Sequence, residues 1–426
     1  MTGIEDHPLR YALANELHAR PFPSVSTRGF AAYLAIKTPH DAANRDHAAD
    51  RAHLVDLLDR FGADHPKQDA THYFGKIGRN RLKWESHTEF VTFTIFGDTV
   101  GDRPFDPADF AIFPEDWLAK ATGKRLTSAL IRIQETADDA EIHALCNDCF
   151  VSESVAVSHV LEDNAVIASD FRIDPAGHIR FAVFGRPDVG ERRMGRVVQR
   201  LCEIETYKSM SMIGLYRARE VTAQLRPIDQ KLTELVASMT KAGTQPEDSL
   251  SDLLSISAEL ENISAQSSFR FAGTKAYSTI VRQRIDILRE TQFTGRQTFE
   301  EFMNRRFEPA MRTVRSTEQE LQSVADRAIR AGDLLRTQVD VERSAQNQKV
   351  LESMDRRADL QLRLQKTVEG LSVVAVSYYA VNLVLYGAAP LAENWGISKV
   401  SLAAITTPIV LIAVWLVVRR IRNSVH

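Results

Sequence analysis

The sequence predicts an α+β cytoplasmic domain (residues 1–190), a long-helix stalk (191–369) and a C-terminal hairpin of two transmembrane helices (370–392 and 400–419). Three observations predict it. Up to about residue 184, short alternating apolar runs are broken by Gly and Pro, the habit of a mixed domain. From Gly195 onward the apolar spacing becomes helical and stays so. Residues 370–392 and 400–418 carry no formal charge, and each run is long enough to cross a hydrocarbon core of ~30 Å. At roughly 150 residues per domain, a chain of 426 residues has room for two or three units.

Each element has its own signal. Residues 30–36 read as a strand, and 49–61 as a helix through Leu54, Leu57, Leu58 and Phe61, with Gly62 as the stop. The segment 73–96 is rich in aromatic and β-branched residues around a Gly-Arg-Asn turn and reads as a hairpin. Residues 127–134 and 155–160 read as strands with a helix over 138–150 between them, and 166–173 and 178–184 flank the turn Asp174-Pro-Ala-Gly177. In the stalk, 197–242 predicts one helix or a kinked pair, ended by the Gly- and Pro-containing cluster 242–246. Residues 249–307 predict a second helical stretch that closes before Pro309. From Ala310 no proline appears until Pro390, so one helix of about 80 residues, ~120 Å long, is expected to run into the membrane. Val314, Leu321, Ala328 and Leu335 recur at seven-residue intervals, which fits either an intramolecular antiparallel bundle or a coiled coil between subunits.

Composition narrows the function classes. Hydrophobic residues make 44% and charged residues 26%, ordinary for a soluble protein, yet the apolar residues are concentrated in the tail. A net charge of −3 supplies no basic field, so nucleic acid is not an expected partner. Three cysteines do not make a disulfide scaffold and suit a reducing compartment. The N-terminus mixes acids, bases and prolines without an apolar core, so the residues before the hairpin are expected to stay in the cytoplasm. Arg356, Arg357, Arg363 and Lys366 precede the first span and Arg419, Arg420 and Arg422 follow the second, against one lysine in the connecting loop. That asymmetry puts both termini on the cytoplasmic side, with the lipid bilayer as the first partner. Trp395 and Trp415 fall near the expected interfaces, and Pro408 is tolerable inside a span.

The first span is the polar one. Tyr378, Asn382 and Tyr386 recur every four residues and share one helix face. An amide at that depth needs a partner, which is another helix, an ordered water, or a water-lined path shared by several subunits.

In the cytoplasmic part, Cys146 and Cys149 form a Cys-x-x-Cys with His143 one turn earlier, more consistent with small buried hydrophobes than with half a metal site. Glu85, His87 and Glu89 alternate along a strand, so they form either a salt-bridged outer face or a site for a hard divalent cation. The segment 15–21 (NELHARP) concentrates hydrogen-bonding groups before a turn, as a structural lock or a ligand site. No phosphate loop, dinucleotide fingerprint, nucleophile elbow or His-Glu-x-x-His helix occurs, so an enzyme is not expected.

HPLRYALANELHARPF from His7, RLKWESHTEF around Trp84, RVVQRLCEIETYKSMSMIGL from Arg196 and LSVVAVSYYAVNLVLYG from Leu371 resemble a bacterial family of uncharacterised membrane-anchored proteins, a domain of unknown function. The resemblance implies the bacterial inner membrane. In layout the chain is also similar to the CorA-type magnesium channels, which are homopentamers whose first membrane helix lines the pore. Their loop signature is Tyr-Gly-Met-Asn; here Tyr386 and Gly387 match, and Ala388 and Ala389 replace the methionine and asparagine. This second resemblance implies a homo-oligomer, a pentamer in that family, and a divalent cation such as magnesium as ligand. Tyr378, Asn382, Tyr386 and Gly387 would line its pore. The alternative expectation is an anchored scaffold or sensor whose hairpin is only a tether.

Overall fold

The computed structural model describes residues 4–16, 22–39, 44–239, 246–394 and 398–424. In chain order these form α1 (Arg10–Glu16), β1 (Gly29–Lys37), α2 (His47–Arg60), β2 (His72–Ile77), β3 (Asn80–Ser86) and β4 (Phe90–Gly97). A 3₁₀ turn (Pro107–Ile112), α3 (Glu115–Ala119), β5 (Lys124–Glu135), α4 (Asp139–Cys149), β6 (Ala156–Val160), β7 (Ala165–Ser169) and β8 (Ile179–Gly185) complete the mixed region. The helical part comprises α5 (Glu191–Met239), α6 (Pro246–Leu288), a short β9 (Thr291–Gln292), α7 (Phe299–Arg306), α8 (Glu308–Asn394) and α9 (Lys399–Ser424). The described residues divide into two units. The first holds all the strands and the helices as far as Ala331, and the second runs from Gly332 onward together with residues 246–248.

The nine strands make one mixed sheet in the order β2-β3-β4-β1-β5-β8-β7-β6-β9. Every neighbouring pair is antiparallel except β5 and β8, which run parallel. The segment read as a hairpin is a three-strand meander, because a second turn at 87–89 starts β4, with the His87 amide donating to the Phe90 carbonyl at 2.9 Å. Period-2 alternation then sorts the side chains by face. Leu34, Ile36, Leu82, Trp84, Phe93 and Ile95 join Leu54, Leu57 and Leu58 of α2, Trp117 of α3 and Ile142 and Cys146 of α4 in one core. The helix α2 starts where the Asp46 carboxylate accepts from the Ala48 and Ala49 amides at 2.9 and 3.0 Å, and it stops before Gly62, whose φ is +61°. The other face of the sheet is covered by α5, which packs on β1, β5 and β8.

Inside this core His53 stacks on Trp117 with ring centroids 4.0 Å apart, and its backbone carbonyl accepts from the Trp117 indole at 2.9 Å. Burial pushes the His53 imidazole down to about 4, since the charged ring would lose its water. The sign follows directly. Between about pH 6.5 and 4 the unfolded chain binds a proton that the folded chain refuses, so stability is full above that window and declines as pH falls through it. The loss is expected to reach up to about 3 kcal/mol at the acid end. Urea midpoints of His53→Phe, measured at steps from pH 7 to 4, should show a shallower decline than wild type; parallel curves would remove His53 as the cause.

The helical expectation for 249–307 is corrected. After α6 ends at Leu288 the chain places β9 on the edge of β6, pairing Ser158 with Gln292 and His159 with Thr291. Helix α7 restarts with a capping box in which the Thr298 hydroxyl accepts from the Glu301 amide and the Glu301 carboxylate accepts from the Thr298 amide. Helix α8 begins at Glu308 and includes Pro309 in its first turn, where a missing N–H costs nothing. Val314, Leu321 and Ala328 are buried within the first unit, where Thr317 meets Thr222 of α5 at 3.2 Å and Arg327 pairs with Asp229. The seven-residue stripe up to Ala328 is buried inside the chain, where α5 and α8 run parallel and α6, which pairs Ser267 with Arg217 and Arg284 with Glu203, runs antiparallel to α5.

Helices α8 and α9 contain stretches long and apolar enough to cross a membrane, and these stretches are almost wholly unburied. Residues 17–21 of the NELHARP segment, most of the cluster 242–246, and Trp395 lie outside the described residues.

Candidate functional site

On the α5 side the sheet is apolar at β5 and β8, with Ile131, Ile133, Phe181 and Val183 buried, and turns polar toward β3 and β4. Where a sheet meets a helix, apolar side chains are the rule, because a buried polar group costs roughly 1–3 kcal/mol if left unpaired. The strand register instead lines up Lys83 of β3, Thr94 of β4 and Tyr33 of β1 in one row, with Glu85 and Thr92 in the next. On the opposite side of the same strands Leu34, Ile36, Leu82, Trp84, Phe93 and Ile95 are apolar, and the polar positions, Asn80 and Ser86, lie at the two ends of β3.

A chamber of about 230 Å³ opens between these rows and α5. Its strand wall carries Tyr33, Lys83, Glu85, Thr92 and Thr94; its helix wall carries Gln199, Cys202, Glu203 and Thr206 of α5 and Arg284 of α6. Aromatic rings close it: His87 stacks on Phe90 at 4.4 Å, and Tyr207 meets Phe90 edge-on at 6.0 Å. Phe22, 51% exposed, stands at the open side. A close approach places it there. At Gly195 a Cβ would lie 1.8 Å from the Pro23 carbonyl oxygen, so only glycine lets the 22–25 segment lie against α5.

A hydrogen-bonded row spans the chamber. The Lys83 ammonium pairs with the Glu85 carboxylate at 3.1 Å and donates to the Gln199 carbonyl oxygen at 2.9 Å. The Gln199 amide donates to Glu203 at 2.8 Å, and Glu203 in turn pairs with Arg284. At the closed end the Thr206 hydroxyl donates to the Cys202 carbonyl at 2.8 Å, so its oxygen is left to accept from the Tyr33 hydroxyl. Burial pushes the Tyr33 phenol and the Cys202 thiol far up, so both stay protonated. A thiol so held is not a ready nucleophile.

Of the alternating triplet, Glu85 and His87 face the chamber. Glu89 does not: it is 2% exposed and pairs with Arg270 of α6 while accepting from the Tyr277 hydroxyl at 2.8 Å. The carboxylates are thus salt-bridged, but in the interior and to different partners. Cys146 is buried in the core with its thiol pushed up to about 11, and Cys149 is half-buried with its thiol also raised by burial. Among the described residues no three His, Cys, Asp or Glu side chains gather as a metal site.

Sequence reasoning missed Tyr33, Lys83, Gln199, Glu203 and Arg284. A signal existed for some of them. Lys83 and Glu85 alternate with the core residues Leu82 and Trp84, and Gln199 and Glu203 sit four apart on a helix whose neighbours Val198, Leu201 and Cys202 are buried. Polar residues at core spacing mark a lined cavity.

In the second unit Tyr378 and Ser377 of α8 face Thr407, Leu411 and Trp415 of α9 across an apolar groove of about 620 Å³. The Asn382 side-chain amide donates to the Tyr378 carbonyl of its own helix at 3.0 Å. Tyr386 is 81% exposed, and Gly387 has no atom close to where a Cβ would stand. The Arg419 guanidinium lies 4.9 Å from the Trp415 ring centre.

Taken together, the fold and the chamber define an α+β unit with a polar-lined cavity, followed in the chain by two apolar helices. The chain belongs to the family described as "Protein of unknown function (DUF3422)", whose model matches residues 5–425. No curated protein matches it, and no solved structure does.

Proposed function

We propose that this protein is a membrane-anchored sensor of the cytoplasmic side, whose α+β unit takes a small polar molecule into the chamber and whose C-terminal hairpin is the tether. The observation that carries the reading is the row of polar side chains on one face of β1, β3 and β4, against an opposite face whose central positions are apolar. Stability alone would favour apolar residues there, and convergent polar groups in a concave pocket are the usual mark of a binding site. Binding rather than catalysis fits the raised Tyr33 and Cys202. For the tether, the basic residues Arg356, Arg357, Arg363, Lys366, Arg419 and Arg420 support an inner-membrane hairpin with both termini cytoplasmic.

Cation transport through a CorA-like ring of copies, five in that family, is the second reading. One observation favours it: Tyr378, Asn382 and Tyr386 share a face of α8 and Tyr386 is largely exposed. Against it, the Asn382 amide already donates within its own helix. Magnesium flux into liposomes separates the two. The sensor reading expects flux no greater than in empty vesicles; flux that disappears in Asn382→Leu would install the channel instead. A thermal-shift screen of polar metabolites on the full chain in detergent tests the sensor itself. Hits should vanish in Thr94→Trp, which fills the chamber, and should persist when an unrelated two-span anchor replaces the hairpin.

A further inference from the structure

We infer that the chamber's ligand is an amino-acid-like zwitterion with an apolar or aromatic side chain. This deepens the sensor reading and rests on it. The ionised side chains lining the chamber are Lys83 and Arg284 against Glu85 and Glu203, two cations and two carboxylates. Their charges cancel, so a ligand of net charge would add an uncompensated charge to a half-closed site, whereas a net-neutral one does not.

The order of the charges says more than their sum. Along the row the sequence is Glu85, Lys83, Gln199, Glu203, Arg284, so the two inner charges, Lys83 and Glu203, are of opposite sign and one neutral amide apart. Gln199 is bonded to both, its carbonyl taking the lysine proton at 2.9 Å and its amide donating to the carboxylate at 2.8 Å. It therefore occupies the place between Lys83 and Glu203 that a carboxylate and an ammonium held together by a short carbon link can share. A ligand carboxylate against Lys83 and a ligand ammonium against Glu203 reproduce that pattern with charge-assisted bonds, which are stronger than the amide's.

The rest of the chamber states what the other end of the molecule is. Phe90, Phe96 and Tyr207 line it beside the charged row, and Phe22 stands at the mouth. At about 230 Å³ the space is below the ~300–1,000 Å³ of drug-sized pockets, so one ring or branched chain is the largest payload. Sugars would use the aromatic walls but not the two inner charges. Dianions would meet Glu85 and Glu203.

Isothermal titration of the full chain in detergent tests the proposal with four probes: L-phenylalanine, its N-acetyl derivative, its amide, and glucose, plus citrate as a polyanionic control. L-Phenylalanine should bind, and both single-charge derivatives should bind at least tenfold more weakly. Gln199→Glu, near-isosteric and less disruptive than truncating Lys83, should weaken phenylalanine at least fivefold while the circular dichroism spectrum is unchanged. Equal binding of the N-acetyl derivative or the amide overturns the zwitterion. Binding of glucose or citrate that Thr94→Trp abolishes also overturns it, yet leaves the chamber as a ligand site. Binding of no probe overturns the zwitterion, and if the metabolite screen also gives no hit it overturns the sensor reading as well.

Discussion

Replacing Glu89 with leucine is expected to destabilise the α+β unit by about 3–5 kcal/mol, the usual cost of leaving one member of a buried ion pair unmatched. Glu89 is 2% exposed, and its two oxygens are committed to the Arg270 guanidinium and the Tyr277 hydroxyl of α6. Nothing on the leucine side chain can take either donor. The Lys37 ammonium, pushed down by burial and by nearby Arg270 and drawn up by Glu89, would then face Arg270 without the intervening carboxylate. Like charges without a counter-ion in a half-buried site repel strongly. Urea denaturation of the full chain followed by tryptophan fluorescence reads the effect as a lower midpoint. The double variant Glu89→Leu/Arg270→Leu should recover part of the loss, because it removes the orphaned cation along with the anion. A single-variant loss below about 1 kcal/mol would mean that water already reaches the pair.

Trp117→Ala is expected to cost a similar amount, about 3–5 kcal/mol, by a different route. Trp117 is fully buried, stacked on His53 and Phe113 and edge-on to Phe93 at 5.1 Å. Its removal leaves a cavity between α2 and the sheet and strips the His53 carbonyl of its donor. The five-residue α3 has little else to hold it, since its only fully buried side chain is that tryptophan. A second readout is built in. With the indole gone, water reaches His53, its imidazole returns toward the ordinary value, and the acid decline in stability should flatten. An unchanged acid slope in Trp117→Ala would show that the indole is not what keeps His53 dry.

Much of the fold is legible in the sequence alone. The strands 30–36 and 127–134, the helix stopped by Gly62 and the turn at Asp174–Gly177 all rest on residues within a few positions of one another. Their signals are local propensity and period, and local signals survive transfer from sequence to structure. The β9 excursion was not legible, since a two-residue strand has no periodicity and is made by pairing with Ser158 and His159, more than a hundred residues earlier. The second turn at 87–89 was missed for the opposite reason: β-rich residues continue through it, and only the His87–Phe90 hydrogen bond marks the break. Glu85, His87 and Glu89 were read as one face. The turn rotates Glu89 out of the row and delivers it to α6.

By itself the sequence determined the two uncharged apolar runs, the switch from period 2 to helical spacing near Gly195, and the basic flanks of the hairpin. These depend only on composition along a contiguous stretch, and lipid or solvent reads them without reference to the rest of the chain. Only the tertiary structure decided where the chemistry sits. Lys83 and Gln199 lie 116 positions apart, and what joins them is the sheet register and the path of α5 across it. Each polar residue looks ordinary in its own window; the chamber exists because packing brings all of them into one enclosed space, where each must find a partner.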